Sequence, residues 1–351
     1  MHRGNRKLIT ILLTCCSICL AGVLIFNLYV GNNSVADSPN IFIVTLSGVR
    51  NMDSIEDSEH QYIPHLWNDL RQKGTLYTCL VNENFEFHMP SIQAINFGVN
   101  SSRYSFELKS NLPSIFQYVR KKYRLPASKF WAIGHWFNST YEFPTDKYAQ
   151  NTFPCAFSLR NYSVSAQIFR LLTKQELISF DMVSSMMKRT SAQWPYWDSA
   201  GAIQYQVFKK IVRFFKPKLV HYVMNDVECA HYDSYAKYIL ALKASDNKIF
   251  ELWQFINQDP FYKDKTYLIV NVDHGRNLYY AEHDEDTYDR PSKVWMYIYG
   301  PKVKKGLVIS RSIRHLDIFA TVAFLMNVNT HTTSGNLLKD CFSTADVYTK
   351  E

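Results

Sequence analysis

The chain has 351 residues, 47% of them hydrophobic and 15% aromatic, which is enough for one large α/β domain or two small ones. Its net charge of +8 is spread over separate regions, without the basic stripe along one element that nucleic-acid-binding proteins carry. This composition argues against a disordered chain and against nucleic acid as a partner.

An uncharged apolar run, residues 8–30, lies near the start of the chain. It is long enough to cross a bilayer as a helix. Three basic residues within 1–7 favour a cytoplasmic N-terminus by the positive-inside rule. The sequence therefore predicts a single-pass membrane protein, with a linker at 31–38 and a domain outside the cytosol. Small residues ending at Ala36 leave open the alternative of a cleaved signal peptide and a secreted protein.

Export would expose the domain to glycosylation and oxidation. The four cysteines outside the apolar run are widely spaced and form no CxxC pair, which argues against a zinc ribbon and allows one or two disulfides. Four N-x-[ST] sequons could carry glycans in a eukaryotic secretory protein, at Asn32, Asn100, Asn138 and Asn161.

The segment 39–340 predicts one domain in which strands and helices alternate, followed by a tail at 341–351. Its first element, Ile41–Leu46, is an almost continuous apolar run rich in β-branched residues, which is typical of a buried parallel strand. Residues 136–200 show no clean period and predict irregular insertions. In chain order the predicted elements are a strand at 41–46, helices at 63–73 and 112–122, a short apolar run at 130–134, a helix at 203–215, a strand at 219–224, a helix at 235–257, strands at 267–272 and 294–299, and a helix at 316–326.

This alternation predicts the α/β class, with a mostly parallel central sheet and helices on both faces. Ligands of such sheets bind at the carboxyl ends of the strands. Glu228 and His231 follow the strand 219–224. Asp273 and His274 follow the strand 267–272, and His283 lies in the loop beyond. Imidazole and carboxylate together form the ligand set of zinc and related divalent ions, although solvated loop residues are the alternative interpretation.

Several sequence blocks along residues 39–328 carry a family resemblance. They are, in order, PNIFIVTLSGVR, IPHLWNDLRQKGTLYT, HMPSIQAINFG, the stretch that begins ECAHYDSYAKY, LIVNVDHGR, EHDED, YIYGPKVKKG and HLDIFATVAFLMNV. In order and spacing these blocks resemble the alkaline phosphatase superfamily, in its sulfatase and phosphodiesterase branch. The block LIVNVDHGR is the most specific of them.

The resemblance implies one or two divalent ions, with zinc as the expected cofactor, and anionic phosphate or sulfate esters as substrates. Asp273 and His274 would hold one ion, together with an aspartate from the first strand and a hydroxyl nucleophile. The other would be held by an Asp-x-x-x-His pair and a later histidine. In this chain Val227 stands at the position of that aspartate, four residues before His231, but Glu228, His231 and His283 could still hold one ion. Two such ions clamp the attacking and leaving oxygens of an in-line displacement.

The chain departs from the family pattern at the positions that carry the chemistry. Ser47 stands where the first-strand aspartate is expected, and His88 stands at the nucleophile position, two residues before Pro90. His88 could replace the lost metal ligand, act as a nucleophile through a phosphohistidine, or be inert. Arg50 and Arg276 follow strand-end motifs and could bind an anion bidentately beside Ser47, or could pair with acidic loop residues.

Two functions remain open from the sequence. The first is a membrane-anchored, metal-binding hydrolase that acts on phosphate or sulfate esters. The second is a pseudoenzyme of the same fold that serves as a binding or structural protein at a membrane surface. The substitutions at Ser47 and His88, which fall on one predicted metal site, motivate the second hypothesis.

Overall fold

The computed structural model describes residues 38–82, 88–100, 112–134, 155–157, 173–176, 179, 197–230, 233–277, 293–331 and 334–343. The chain divides into two compact units, Met1–Ser38 and Pro39–Glu351, and every element below belongs to the second. Within the described residues, no helix combines the length and the apolar character needed to cross a bilayer. The predicted anchor 8–30, the predicted ligands His231 and His283, and the sequons at Asn32, Asn138 and Asn161 lie outside the described residues.

A nine-stranded sheet forms the centre of the described domain. The strand order is β4-β3-β5-β1-β6-β7-β2-β8, and β9 also pairs with β2. The strands are β1 (Asn40–Leu46), β2 (Thr75–Val81), β3 (Phe130–Ile133), β4 (Cys155–Phe157), β5 (Leu219–Met224), β6 (Thr266–Val272), β7 (Lys293–Tyr299), β8 (Leu307–Ile309) and β9 (Ile313–Arg314).

Most of the strand pairs are parallel, as predicted, but the sheet as a whole is mixed. Strand β7 runs antiparallel to both of its neighbours, β6 and β2. The sequence predicted β7 as a strand but gave no signal for its direction, which depends on the connection through residues 278–292.

Six α-helices lie in the described residues. They are α1 (His88–Phe97), α2 (Ile115–Tyr123), α3 (Trp197–Phe215), α4 (Asp226–Ala230), α5 (Tyr235–Gln258) and α6 (His315–Leu325). The predicted helix at 63–73 is instead a π-helical turn, His65–Leu70, followed by a 3₁₀ turn, Arg71–Lys73.

Helices cover both faces of the sheet, as predicted. Phe42 and Thr45 lie on β1 an odd number of residues apart, so their side chains point to opposite faces. The Phe42 ring meets the ring of Phe208 on α3, edge to face. On the other face, Thr45 contacts His221 of β5, whose Nδ1 lies 3.0 Å from the Asn96 amide oxygen on α1. Both faces of the central strands are therefore buried, which explains why β1, β5 and β6 read as continuous apolar runs.

Strand β2 and helix α1 are the main elements that the sequence analysis did not predict. The β2 sequence TLYTCLV has no regular alternation, and its burial pattern is also irregular. In α1, Pro90 falls in the first described turn, where a missing N–H is tolerated, so this proline does not break the helix.

Candidate metal centre

The three central strands bring the candidate residues to one edge of the sheet. Strand β1 lies between β5 and β6, and Leu46 at its end is in register with the last residue of each. Ser47 follows β1, Glu228 lies on α4 just after β5, and Asp273 and His274 follow β6. His88, the first residue of α1, completes the group. All five residues are buried.

His88 contacts each of the other four residues of this cluster. Its Nδ1 lies 2.6 Å from Ser47 Oγ, 2.9 Å from Asp273 Oδ2 and 2.9 Å from His274 Nε2. Its Nε2 lies 3.2 Å from Glu228 Oε1. The ring therefore lies between two carboxylates, one at each nitrogen.

Asp273 is held as a carboxylate by several donors. The backbone N–H groups of Gly48 and His274 donate to Oδ1 at 3.0 and 2.8 Å, and the Ser47 hydroxyl donates to Oδ2 at 2.9 Å. Burial alone would raise the pKa of Asp273, but the neighbouring His274 and the hydrogen bond from His88 lower it below the ordinary value. Asp273 is therefore ionised and can act as a ligand at neutral pH.

The orientation of His274 leaves one ring nitrogen directed at the centre. Its Nδ1 lies 2.8 Å from the carbonyl oxygen of Gly275, which can only accept, so Nδ1 carries the proton in the neutral ring. The lone pair of Nε2 then faces His88. A backbone acceptor that fixes the tautomer in this way is a common second-sphere feature of metal-binding histidines.

Arg276 places a permanent positive charge beside the cluster. Its guanidinium forms an ion pair with Glu228, and its Nε donates to the Gly48 carbonyl at 2.9 Å. Burial, with a smaller contribution from nearby Arg50, lowers the pKa of Arg276 to about 9, so the group stays charged at neutral pH. Gly48 has φ +71°, and a Cβ there would lie 2.5 Å from Arg276 Nη2, so this turn requires glycine.

Arg50 is also paired with a carboxylate. Its guanidinium binds Asp53, and its Nη1 donates to the Asn277 carbonyl at 3.3 Å. For both arginines the structure thus shows the acidic pairing that the sequence left open as the second alternative. Anion binding by Arg50, Arg276 and Ser47 stays a prediction.

The donor set of the cluster fits a divalent cation. One ligand atom each from His88, Glu228 and His274 lies within 4.8 Å of the other two. Asp273 lies beside this group, with its Oδ2 2.9 Å from His88 Nδ1 and its Oδ1 3.7 Å from His274 Nε2. Two imidazoles with carboxylates are the ligands that zinc prefers. Of the five predicted ligands, Glu228, Asp273 and His274 meet here, and His88 occupies the position that the sequence allowed for a replacement ligand.

Two supporting residues were not foreseen. The Ser91 hydroxyl donates to the backbone carbonyl of Asp273 at 2.7 Å, and the Asn82 amide donates to Ser91 Oγ at 2.8 Å. These bonds tie α1 and the end of β2 to the end of β6. A serine and an asparagine give no sequence signal for such a role, because both are also common in turns.

Comparison with solved structures identifies the fold. The chain is similar to the phosphonate monoester hydrolase of Silicibacter pomeroyi, with 15% identity and a TM-score of 0.56 over 86% of this chain and 76% of that one. It is also similar to the lipoteichoic acid synthase LtaP of Listeria monocytogenes, with 12% identity and a TM-score of 0.56. That match covers 85% of this chain and 74% of LtaP. Murine ectonucleotide pyrophosphatase/phosphodiesterase 5 is similar as well, with 10% identity and a TM-score of 0.52 over 87% of this chain and 100% of that one. That structure is an inactive variant in complex with AMP.

The chain therefore has the fold that these structures share with a solved Vibrio parahaemolyticus protein of the alkaline phosphatase superfamily, as the sequence blocks predicted. No protein-family model matches the sequence, and comparison with curated proteins gives no match either. The likeness thus lies in the arrangement of strands and helices.

Proposed function

We propose that this chain is a membrane-anchored hydrolase that binds one divalent cation, with zinc as the expected ion, and acts on phosphate or sulfate esters. The observation that supports the proposal is the buried convergence of His88, Glu228 and His274 at the carboxyl edge of the sheet. Two of the similar structures are named for the hydrolysis of phosphorus esters. Anchoring through 8–30 rests on the sequence alone.

Groups of the chain itself would share the chemistry with the ion. A bound divalent ion would supply Lewis-acid stabilisation of charge on the ester. The Ser47 hydroxyl contacts both the His88 imidazole and the Asp273 carboxylate, an arrangement that can polarise it as a nucleophile in place of the missing hydroxyl at position 88. The fixed charge of Arg276 would help to balance the negative charge of the ester.

A second candidate function is a pseudoenzyme of the same fold that keeps the bound ion but does not turn over an ester, and serves as a binding or structural protein. The observation in its favour is that the charged groups are already satisfied within the chain. Arg276 is paired with Glu228, Arg50 is paired with Asp53, and an imidazole occupies the nucleophile position.

Metal analysis of the purified full-length chain tests the bound divalent ion, which both candidate functions require. We expect about one zinc ion per chain, and a loss of zinc affinity of more than about tenfold in His274→Ala and in His88→Ala. His331→Ala, at an exposed histidine, is the matched control and should bind as the wild type does. A folded wild-type chain that binds no divalent ion would overturn both candidates.

Measurements of ester turnover distinguish the hydrolase from the binding protein. Aryl phosphate, phosphodiester and aryl sulfate probes are assayed with Zn²⁺, Mn²⁺ and Mg²⁺. The hydrolase predicts turnover that falls by about 100-fold or more in Ser47→Ala while zinc content is unchanged. Zinc binding without turnover of any probe, with activity appearing only in the double variant Ser47→Asp/His88→Ser, would establish the binding protein instead.

A further inference from the structure

The edge of the sheet opposite the candidate centre collects basic residues from connections that are far apart in the sequence. Five described connections lie there: 71–74 before β2, 124–129 before β3, 213–218 before β5, 259–265 before β6, and 300–306 between β7 and β8. They are at one edge because β2, β3, β5 and β6 start there and the antiparallel β7 ends there. We call this surface the amino edge.

The amino edge carries twelve basic and two acidic side chains in these connections, and of the twelve basic residues only Lys218 is buried. Of the two acids, Asp259 forms an ion pair with Lys216, whereas Asp264 is exposed and forms no ion pair within the described residues. The basic residues are Arg71, Lys73, Arg124, Lys129, Arg213, Lys216, Lys218, Lys263, Lys265, Lys302, Lys304 and Lys305.

The opposite, carboxyl edge has the reverse balance. Its described connections 47–53, 225–230 and 273–277 carry four acidic and two basic residues, most of them buried. Within these described connections, positive charge is therefore concentrated at the amino edge, which the scattered sequence positions did not reveal. A seven-residue strand separates the two edges by roughly 20 Å, about twice the Debye length at 0.1 M salt.

Exposed aromatic rings lie among these lysines. Phe214 is 51% exposed and Phe261 is 36% exposed. The ammonium groups of Lys129 and Lys218 lie 5.9 and 5.6 Å from the centre of the Phe261 ring. Lysines around exposed aromatic rings are typical of surfaces that rest on lipid headgroups, where the charge meets phosphate and the ring enters the interface.

The described chain also enters the domain at this edge. Asn40 starts β1, and its N–H donates to the carbonyl of Lys265. The next residue, Ile41, donates to the carbonyl of Lys218. The described chain therefore enters β1 at the amino edge.

We infer that the amino edge is a membrane-docking surface for anionic lipid headgroups, and that the candidate centre at the carboxyl edge faces away from the bilayer. Charge complementarity, the exposed Phe214 and Phe261, and the point of chain entry favour lipid over a soluble polyanion. The inference is independent of whether the centre binds metal or turns over an ester.

Lysine footprinting of the full-length chain tests this inference. Detergent is removed from the purified chain in the presence of lipid vesicles. One set of vesicles is phosphatidylcholine alone, which is neutral, and the other contains about 30% phosphatidylglycerol, which is anionic. Lysines are labelled with an amine-reactive ester and quantified by mass spectrometry. Lys237 and Lys293 are the controls, because their side chains are 45% and 44% exposed and they lie at the start of α5 and of β7, near the carboxyl edge.

We expect labelling of Lys263 and Lys265 to fall about fivefold with anionic vesicles, and labelling of Lys237 and Lys293 to stay within about twofold. High salt should restore the labelling. Lys263→Glu/Lys265→Glu should abolish the protection of the remaining amino-edge lysines, whereas Lys237→Glu/Lys293→Glu should not. Equal protection at both edges, equal protection by neutral vesicles, or protection by heparin but not by anionic vesicles would each overturn the inference.

Discussion

His88 contacts four side chains through its two ring nitrogens, and these contacts bear on the three roles that the sequence left open. A nucleophilic imidazole needs one nitrogen directed at a substrate. In the described residues, Nδ1 faces Ser47, Asp273 and His274, and Nε2 faces Glu228. Such surroundings favour the role of a replacement ligand, because imidazoles and carboxylates grouped around one point are the ligands that divalent transition-metal ions bind.

The ion pair between Glu228 and Arg276 is the strongest stability determinant that we expect in the centre. Both side chains are buried, so removing one partner leaves the other charge without its main counterion. In the presence of a chelator, Glu228→Gln should lower the free energy of unfolding by about 3 kcal/mol, and Arg276→Met by a similar amount.

A double-mutant cycle checks this expectation. Glu228→Gln/Arg276→Met removes both charges, and we expect it to cost clearly less than the two single effects together. Urea unfolding of the four chains measures the coupling. Single effects that simply add would show that the two groups do not stabilise each other.

At the scale of elements, helix α1 carries His88 to the edge and needs a specific C-terminus. Gly98 follows the last residue of α1 with φ +68°, the left-handed conformation that often ends a helix. A Cβ at Gly98 would lie 2.6 Å from the Phe319 ring on α6. The glycine therefore allows α1 and α6 to pack closely.

Substitution of Gly98 should displace α1 relative to α6. Gly98→Ala should lower the free energy of unfolding by about 2 kcal/mol, through the strained φ and the contact with Phe319. Gly306→Ala is the matched control for φ, since Gly306 also has φ +68°. Its Cβ would meet no ring: the contact is with the end of the flexible Gln72 side chain, at 3.0 Å, which can move away. If both variants lose the same stability in urea unfolding, close packing at Gly98 contributes nothing.

The elements also show how far the sequence alone can predict the structure. Strands β1, β5 and β6 were predictable because strands buried on both faces must be continuously apolar, and Glu228, Asp273 and His274 were predictable because they directly follow these strands. Helix α1 was not predictable, because it is apolar without a clear stripe and contains a proline. The contact between His88 and the other ligands depends on how α1 packs, and the pairing of Arg276 with Glu228 depends on side-chain orientation, so neither could be predicted from residue order.

At the scale of the whole molecule, buried titratable groups set the response to acid. His221, between the central strands and α1, is fully buried, and burial lowers its pKa from 6.5 to about 3. Burial also lowers the pKa of His315. As the pH falls below 6.5, the unfolded chain takes up protons at these histidines and the folded chain does not, so stability falls with pH.

Asp246 on α5 has the opposite effect. Its oxygens accept hydrogen bonds from the backbone N–H groups of His65 and Leu66, but burial raises its pKa from 3.8 to about 6. Between pH 6 and about 4 the folded chain binds a proton at Asp246 before the unfolded chain does, so stability rises as the pH falls. Asp246 therefore offsets part of the loss caused by the buried histidines.

These opposite signs make a paired prediction for the free energy of unfolding between pH 4 and 6. Removing the proton uptake at Asp246 with Asp246→Asn should make stability fall more steeply with acid, by about 1.4 kcal/mol per pH unit. His221→Gln removes the histidine that takes up a proton only in the unfolded chain. The fall of stability with acid should therefore become shallower by about the same amount, whatever the substitution does to stability at pH 7. Urea unfolding at pH 4.5, 5.0, 5.5 and 6.0 with a chelator measures both slopes. Slopes that shift in the same direction in the two variants would contradict the account, because one of the two groups would then not have the protonation state that its burial requires.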